Sequence, residues 1–244
     1  MSQEHKVYMR QLNPRNEFPT NGLVLITGHK NTGKTTMAWT MAYFVRSLGG
    51  MNPRPVMCVG KTWDPATTAP PSNDYQMWEY ASASWNEKCE DILDSWISEK
   101  GGEPIVIIDD ISTIDDIMSD RMKMFMGQAK STNTLFLVCV DMPVMTDDYA
   151  KIVDMTILLK CDPEEDGGIL RDITHQLWFH HCIGHIMAFG DLIKHVTHNP
   201  AGYCALVYNN KHQDVSQRLT FFRTNPNSFQ FKMVPDKSEM ARTL

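Results

Sequence analysis

Apolar residues in this chain fall into two rhythms. Four short unbroken runs stand out: Leu23-Val24-Leu25-Ile26, Val56-Met57-Cys58-Val59, Ile105-Val106-Ile107-Ile108 and Leu135-Phe136-Leu137-Val138-Cys139-Val140. Runs of this kind suit strands buried on both faces of a parallel sheet, where neither face turns to water. Between them, apolar residues recur at helical spacing. Met37, Trp39, Met41, Ala42, Phe44 and Val45 predict a helix from Thr36 to Leu48, stopped by Gly49-Gly50. Ser84-Trp85-Asn86-Glu87 is a capping-box pattern, and it opens a predicted helix to about Lys100 with Cys89, Ile92, Leu93 and Trp96 on one face. A third helix is predicted near Asp120 to Lys130, and further strands at Thr156–Leu159 and Cys204–Tyr208.

The remaining stretches are less regular. Residues 1–20 read as an extended lead-in, residues 61–76 as a surface loop rich in Thr, Pro and Ala, and residues 166–199 as helical. Phe221-Phe222 and Phe229-Gln230-Phe231 around Asn225-Pro226-Asn227 predict a terminal hairpin. Strands alternating with helices imply an α/β fold, a central mostly parallel sheet with helices on both faces. The expected division is an N-terminal extension (1–20), one α/β domain (21–210) and a C-terminal tail (211–244).

Composition narrows the class. The chain has 244 residues, 42% hydrophobic and 21% charged, as in a soluble globular protein with a substantial core. No apolar run reaches the length of a membrane span, and the polar start Met1-Ser2-Gln3-Glu4 has no signal-peptide core, so an intracellular protein is expected. Six scattered cysteines, several in apolar runs, read as buried free thiols. A net charge of −6 argues against a broad basic face held on nucleic acid, while leaving room for a ring that touches phosphates with a few residues per subunit. The 17 methionines read as core packing.

Candidate chemistry begins directly after the first apolar run. Gly28-His29-Lys30-Asn31-Thr32-Gly33-Lys34-Thr35 follows the pattern G-x-x-x-x-G-K-T, the P-loop or Walker A motif, and stands between a predicted strand and a predicted helix. That context is what the chemistry requires, because phosphates sit on backbone N–H groups at a helix N-terminus. Gly28 and Gly33 let the backbone wrap the phosphates, Lys34 reaches the β and γ phosphates of ATP, the Thr35 hydroxyl ligates Mg²⁺, and Thr36 begins the helix beside the α-phosphate. The third apolar run ends in Asp109-Asp110, at the carboxyl edge of a parallel sheet where ligands bind in such folds. Asp109 fits a Walker B carboxylate holding Mg²⁺ and its water, and Asp110 a general base for the attacking water; capping of the next turn is the alternative for Asp110 or for both. Asp141 closes the fourth run, as a γ-phosphate sensor or as a strand-to-turn aspartate before Pro143. Gly60-Lys61-Thr62 lacks the upstream glycine of a P-loop and reads as a decoy. The histidines from His175 to His198, with Cys182, match no zinc-finger spacing and read as solvated or packed helical residues.

These residues together resemble a known family, the viral genome-packaging ATPases of the FtsK–HerA superfamily, of the type found in poxviruses and other nucleocytoplasmic large DNA viruses. The likeness covers roughly residues 20–210. It rests on the Gly28–Thr35 loop, Trp63-Asp64-Pro65 after the second strand, Asp109-Asp110, Lys130 with Asn133, and Phe189-Gly190-Asp191-Leu192 running toward the strand at Cys204. Two positions depart from the family pattern. Asp141 stands where the family usually has Gln, and Lys130 where it usually has Arg; Arg121 competes with Lys130 for the same role.

The resemblance implies a RecA/FtsK-like P-loop NTPase and a homo-oligomeric ring, a pentamer or hexamer. It implies ATP at the subunit interfaces, Lys130 as a finger acting in trans, double-stranded DNA in the channel, and hydrolysis that drives viral DNA into a capsid. Capsid or vertex proteins would be partners, and the protein would work in the infected host cell, with the virion as a second location. Lys123, Lys151 and Lys211 are basic candidates for DNA contact, and solvated surface is their plainer reading. Two other functions compete: a P-loop kinase acting on a small acceptor, for which an arginine-rich lid is wanting, and a nucleotide-binding assembly protein with little hydrolysis.

Overall fold

The computed structural model describes residues 14–28, 30, 32–48, 54–60, 75–79, 87–100, 103–142, 151–159, 204–209 and 219–223. Within these, the elements in chain order are α1 (Pro14–Glu17), β1 (Gly22–Thr27), α2 (Lys34–Leu48), β2 (Val56–Gly60), β3 (Tyr75–Glu79), α3 (Glu87–Lys100), β4 (Ile105–Thr113), a 3₁₀ turn (Ile114–Ile117), α4 (Asp120–Gly127), β5 (Leu135–Met142), β6 (Val153–Leu158), β7 (Cys204–Asn209) and β8 (Leu219–Arg223).

The strands form one eight-stranded sheet in the order β3-β2-β4-β5-β1-β6-β7-β8. Neighbours from β3 through β6 are parallel, and β7 and β8 add antiparallel at one edge. The unbroken apolar runs explain the layering. In β1, Val24 and Ile26 face the layer containing α2, where they pack with Met37, Ala38, Met41, Ala42 and Val45. Leu23 and Leu25 face the other layer, with Leu93 and Trp96 of α3 and Met122 and Met126 of α4. Residues one apart on a strand thus feed two separate cores, which is why the central strands alternate nothing in hydropathy.

Four features depart from the sequence expectations. Tyr75–Glu79, placed largely in a surface loop or unassigned, is a strand on the outer edge of β2. Residues 14–17 of the expected extended lead-in form a single helical turn. β4 runs three residues past the paired aspartates to Thr113, and a 3₁₀ turn anchored by the buried Ile114 and Ile117 follows. β8, within the expected tail, pairs with β7 and extends the same sheet. Residues 84–86 of the capping box before α3, the histidine stretch, residues 63–65 and 189–192, and the second half of the terminal hairpin lie outside the described residues. No helix among the described residues is long and apolar enough to cross a membrane.

At the amino edge of the sheet, two charged side chains tie the incoming segments together. Arg54 is buried and donates to the main-chain carbonyls of Thr20, Glu103, Pro104 and Asn133, the segments leading into β1, β4 and β5. Burial lowers its pKa, partly offset by the Glu103 carboxylate. On the other side, the Asp154 carboxylate accepts the Leu23 N–H at 3.0 Å and lies 2.7 Å from the Lys130 ammonium. The second contact is an ion pair outside the geometry of a directed hydrogen bond. Gly22 takes φ +99° there, and a Cβ on it would lie 2.1 Å from Asp154 Oδ2. A side chain at residue 22 is therefore excluded by the backbone conformation and by the carboxylate alike.

Candidate functional site

The site is built where three parallel strands end. β5 lies between β1 and β4, so the loop after β1, the end of β5 and the end of β4 meet in that order along the carboxyl edge. Register sets the depth of each: Thr27 of β1 and Ile111 of β4 both stand beside Val140 of β5. Gly28 and Asp141 therefore come to the same level, and the Asp109-Asp110 pair, opposite Cys139, stands two residues short of it along β5.

The loop between β1 and α2 is shaped by its glycines. Gly28 has φ +153° and Gly33 φ +96°, and the second is a conformation that L side chains rarely adopt. Nothing lies within 4 Å of a Cβ built on Gly33, so the demand there is for backbone conformation and not for space. The carbonyl of Gly33 accepts the Met37 N–H at 2.8 Å and starts α2. α2 has no acidic residue in its first turn, so the positive end of its dipole is uncompensated by sequence.

Lys34, only 10% exposed, folds back over the loop. Its ammonium donates to the Gly28 carbonyl at 2.8 Å and pairs with Asp141 Oδ1 at 2.8 Å. Thr35 is partly buried and its hydroxyl donates to the Asp109 carboxylate. Lys30 and Thr36 are exposed and Thr32 is intermediate, while His29 and Asn31 lie outside the described residues.

β4 carries a bulge at its aspartates. Ile108 pairs with Val138 and Ile111 with Val140, so Asp109 and Asp110 together oppose Cys139 alone. The extra residue is Asp110, exposed, with φ +60°. A left-handed aspartate at a bulge is a strained position of the kind found beside reactive centres. Asp109 keeps the inward parity of Ile107 and turns toward the layer of α2. Burial raises its pKa above the ordinary carboxylate range. Hydrogen bonds from Thr35, the Asp110 N–H at 2.9 Å and the Cys139 thiol oppose that rise. Cys139 and Cys58, read from sequence only as buried thiols, flank this carboxylate from β5 and β2, and burial followed by the Asp109 charge pushes both thiols up. The signal for Cys139 was parity: it stands two residues before Asp141 on a strand, hence on the same face.

The arrangement brings Gly28, Lys34, Thr35, Asp109 and Asp141 into one contact network, with Asp110 at its rim. Thr35 and Asp109 offer adjacent hard oxygen donors of the kind that suit Mg²⁺, and the N-terminus of α2 with Lys34 suits a polyphosphate. Lys130 is not among them. It sits at the amino edge, 56% exposed, beside a cavity of about 400 Å³ lined in part by Thr20, Asn21, Asp154 and Asn209. β1 alone, at six residues, separates the edges by about 20 Å. Arg121 pairs with Asp91 and Asp94 of α3 and lies over the Phe125 ring, on the outer helical layer. Lys123 is exposed near Asp120, Lys151 is exposed, and Lys211 is outside the described residues.

No protein-family model matches the chain, and no curated protein matches it significantly. Solved structures do match. The genome packaging NTPase B204 from Sulfolobus turreted icosahedral virus 2, in complex with ATP-gammaS, aligns over 88% of this chain and 100% of its own, at 15% identity and a TM-score of 0.57. Its complex with sulfate aligns over 85% of this chain and 98% of its own, at 13% identity and a TM-score of 0.58. B204 from Sulfolobus Turreted Icosahedral Virus, described as a DNA-packaging ATPase, aligns over 85% and 98%, at 10% identity and a TM-score of 0.54. The chain thus has the α/β fold of these P-loop NTPases.

Proposed function

We propose that this chain is an ATP-hydrolysing motor that moves double-stranded DNA into a viral capsid. The observation that carries the reading is the contact of the loop threonine with the carboxylate at the β4 bulge: Thr35 donates to Asp109 while Lys34, one residue earlier, closes over the loop. A triphosphate and its magnesium ion need both halves within reach of one another. The P-loop NTPase fold shared with viral packaging enzymes supports the same reading.

The amides of residues 28–36 and the N-terminus of α2 hold the phosphates. Lys34 supplies a positive charge to them, and Thr35 and Asp109 would hold Mg²⁺. That ion, when bound, neutralises charge on the phosphate oxygens. Asp110, exposed on the bulge beside Asp109, is the general base that takes a proton from the attacking water. Hydrolysis of this type commonly needs a further cation in the transition state. Lys130 stands at the opposite edge from its own loop, so within one subunit it is too far to serve. A neighbouring subunit in a ring would meet it, which supports Lys130 as a cation supplied in trans. A ring also accommodates the charge of −6, since only residues lining a channel need touch DNA.

The test is ATP turnover by the purified full chain at concentrations that permit assembly, with and without duplex DNA. Turnover is expected in the wild type and stimulated by duplex, and Lys34→Ala should lower it by about 100-fold or more. Absence of turnover at every such concentration overturns the reading. Turnover that requires a small phosphoryl acceptor and ignores DNA assigns a kinase instead.

A further inference from the structure

Asp141 is a carboxylate at a position that faces incoming phosphate, and taken alone that is an electrostatic liability. The structure gives the carboxylate another partner. Its Oδ1 lies 2.8 Å from the Lys34 ammonium, with the two side chains only 24% and 10% exposed. The same ammonium also donates to the Gly28 carbonyl at 2.8 Å, which holds it back across its own loop. A phosphate reaching for Lys34 therefore meets a lysine whose charge is already matched.

We propose that Asp141 is a latch on Lys34: its carboxylate competes with nucleotide phosphate for the lysine ammonium, weakening nucleotide binding and hastening release of the product. This rests on the reading of the loop as an ATP site. A triphosphate carries enough charge to draw Lys34 away from Asp141. Once the γ-phosphate has left, the diphosphate holds the lysine less strongly, and the carboxylate beside it draws the ammonium back. A neutral amide at residue 141 would accept a hydrogen bond without matching the charge. Asp141 thus tunes affinity and turnover through Lys34 and need not touch the reacting atoms.

The experiment measures binding of the β,γ-methylene analogue of ATP, with magnesium, to four full-length proteins: wild type, Asp141→Asn, Lys34→Ala and the double variant. Competition for the lysine makes Asp141→Asn bind about three- to tenfold tighter when Lys34 is present, from the usual strength of a partly exposed ion pair. The gain should shrink clearly when Lys34 is absent, and the two backgrounds form a double-mutant cycle. ADP should also dissociate more slowly from Asp141→Asn by a similar factor. A second readout needs no nucleotide: the Lys34 amine in Asp141→Asn should be acylated faster by acetic anhydride than in the wild type, as followed by peptide mass spectrometry.

Equal gains in both backgrounds would mean simple repulsion between Asp141 and phosphate, and would overturn the latch. So would weaker binding by Asp141→Asn, which would make residue 141 a partner of the nucleotide or its metal. If the asparagine variant does not fold, Asp141→Ser removes the same charge and serves in its place. A wild type that binds no nucleotide at all refutes the ATP-site reading, an outcome separate from either failure of the latch.

Discussion

Replacing Gly22 with alanine should be among the most damaging single-methyl additions in this protein. The new Cβ would stand 2.1 Å from Asp154 Oδ2 and 3.4 Å from Lys130 Cε, on a backbone at φ +99°. The positive φ alone costs a non-glycine residue about 1–2 kcal/mol. Relieving the overlap requires the Asp154 carboxylate to withdraw, which leaves the buried Leu23 N–H without its acceptor at a cost of about 1–3 kcal/mol. The ion pair to Lys130 is disturbed as well, but that lysine is 56% exposed, so screening leaves the pair worth well under 1 kcal/mol. The sum is a loss of about 2–5 kcal/mol. Urea unfolding followed by far-ultraviolet circular dichroism should show a lower midpoint with an unchanged slope. Combining Gly22→Ala with Asp154→Ala should recover part of the loss, because the overlapping oxygens are then gone. A loss under about 1 kcal/mol, or strict additivity in the double variant, would refute the argument that Gly22 exists to admit the carboxylate.

Three further outcomes follow from the site and its supports. Asp109 holds its proton to higher pH in the folded protein than in the unfolded chain, so its contribution to stability is present at acid pH and is lost as pH rises through the raised value. Asp109→Asn, which mimics the protonated form, should therefore melt higher than wild type at neutral pH while losing magnesium-dependent turnover, and the difference in melting should close below the ordinary value of 3.8. In mixing experiments, inactive Lys34→Ala and inactive Lys130→Ala subunits should regain partial turnover when co-assembled, since some interfaces then pair an intact loop with an intact cation; no recovery at any ratio argues against action in trans. Arg54→Lys should destabilise by about 2 kcal/mol or more, because one ammonium cannot serve four carbonyls spread over three segments and some remain buried without a donor; a melting temperature equal to wild type would show that those carbonyls find other donors.

How much of this was legible in the residues depends on how far each feature reaches along the chain. The loop at 28–35 is local: its glycines, lysine and threonine act through backbone within a few residues, so the motif and its flanking strand and helix could be read directly. The central strands were legible because strands covered on both faces must be apolar throughout. β3 escaped because a short edge strand, Tyr75-Gln76-Met77-Trp78-Glu79, owes its form to pairing with β2 more than to its own composition. The extension of β4 past Asp110 escaped because a bulge interrupts the alternation that would have revealed it.

Residue chemistry along the chain alone determined the class of fold, the glycine-rich loop between the first strand and its helix, and the presence of carboxylates near the ends of two strands, all consequences of short-range pattern and of burial on both faces of a strand. Only the folded sheet decided who meets whom. β5 enters between β1 and β4, and that order, set by packing and pairing between distant segments, sends Asp141 to Lys34 and Cys139 to Asp109. The same packing carries Lys130 to Asp154 at the far edge, away from its own loop. A one-dimensional pattern carries no record of strand order, because the apolar residues that bury a strand are the same whichever neighbour it takes.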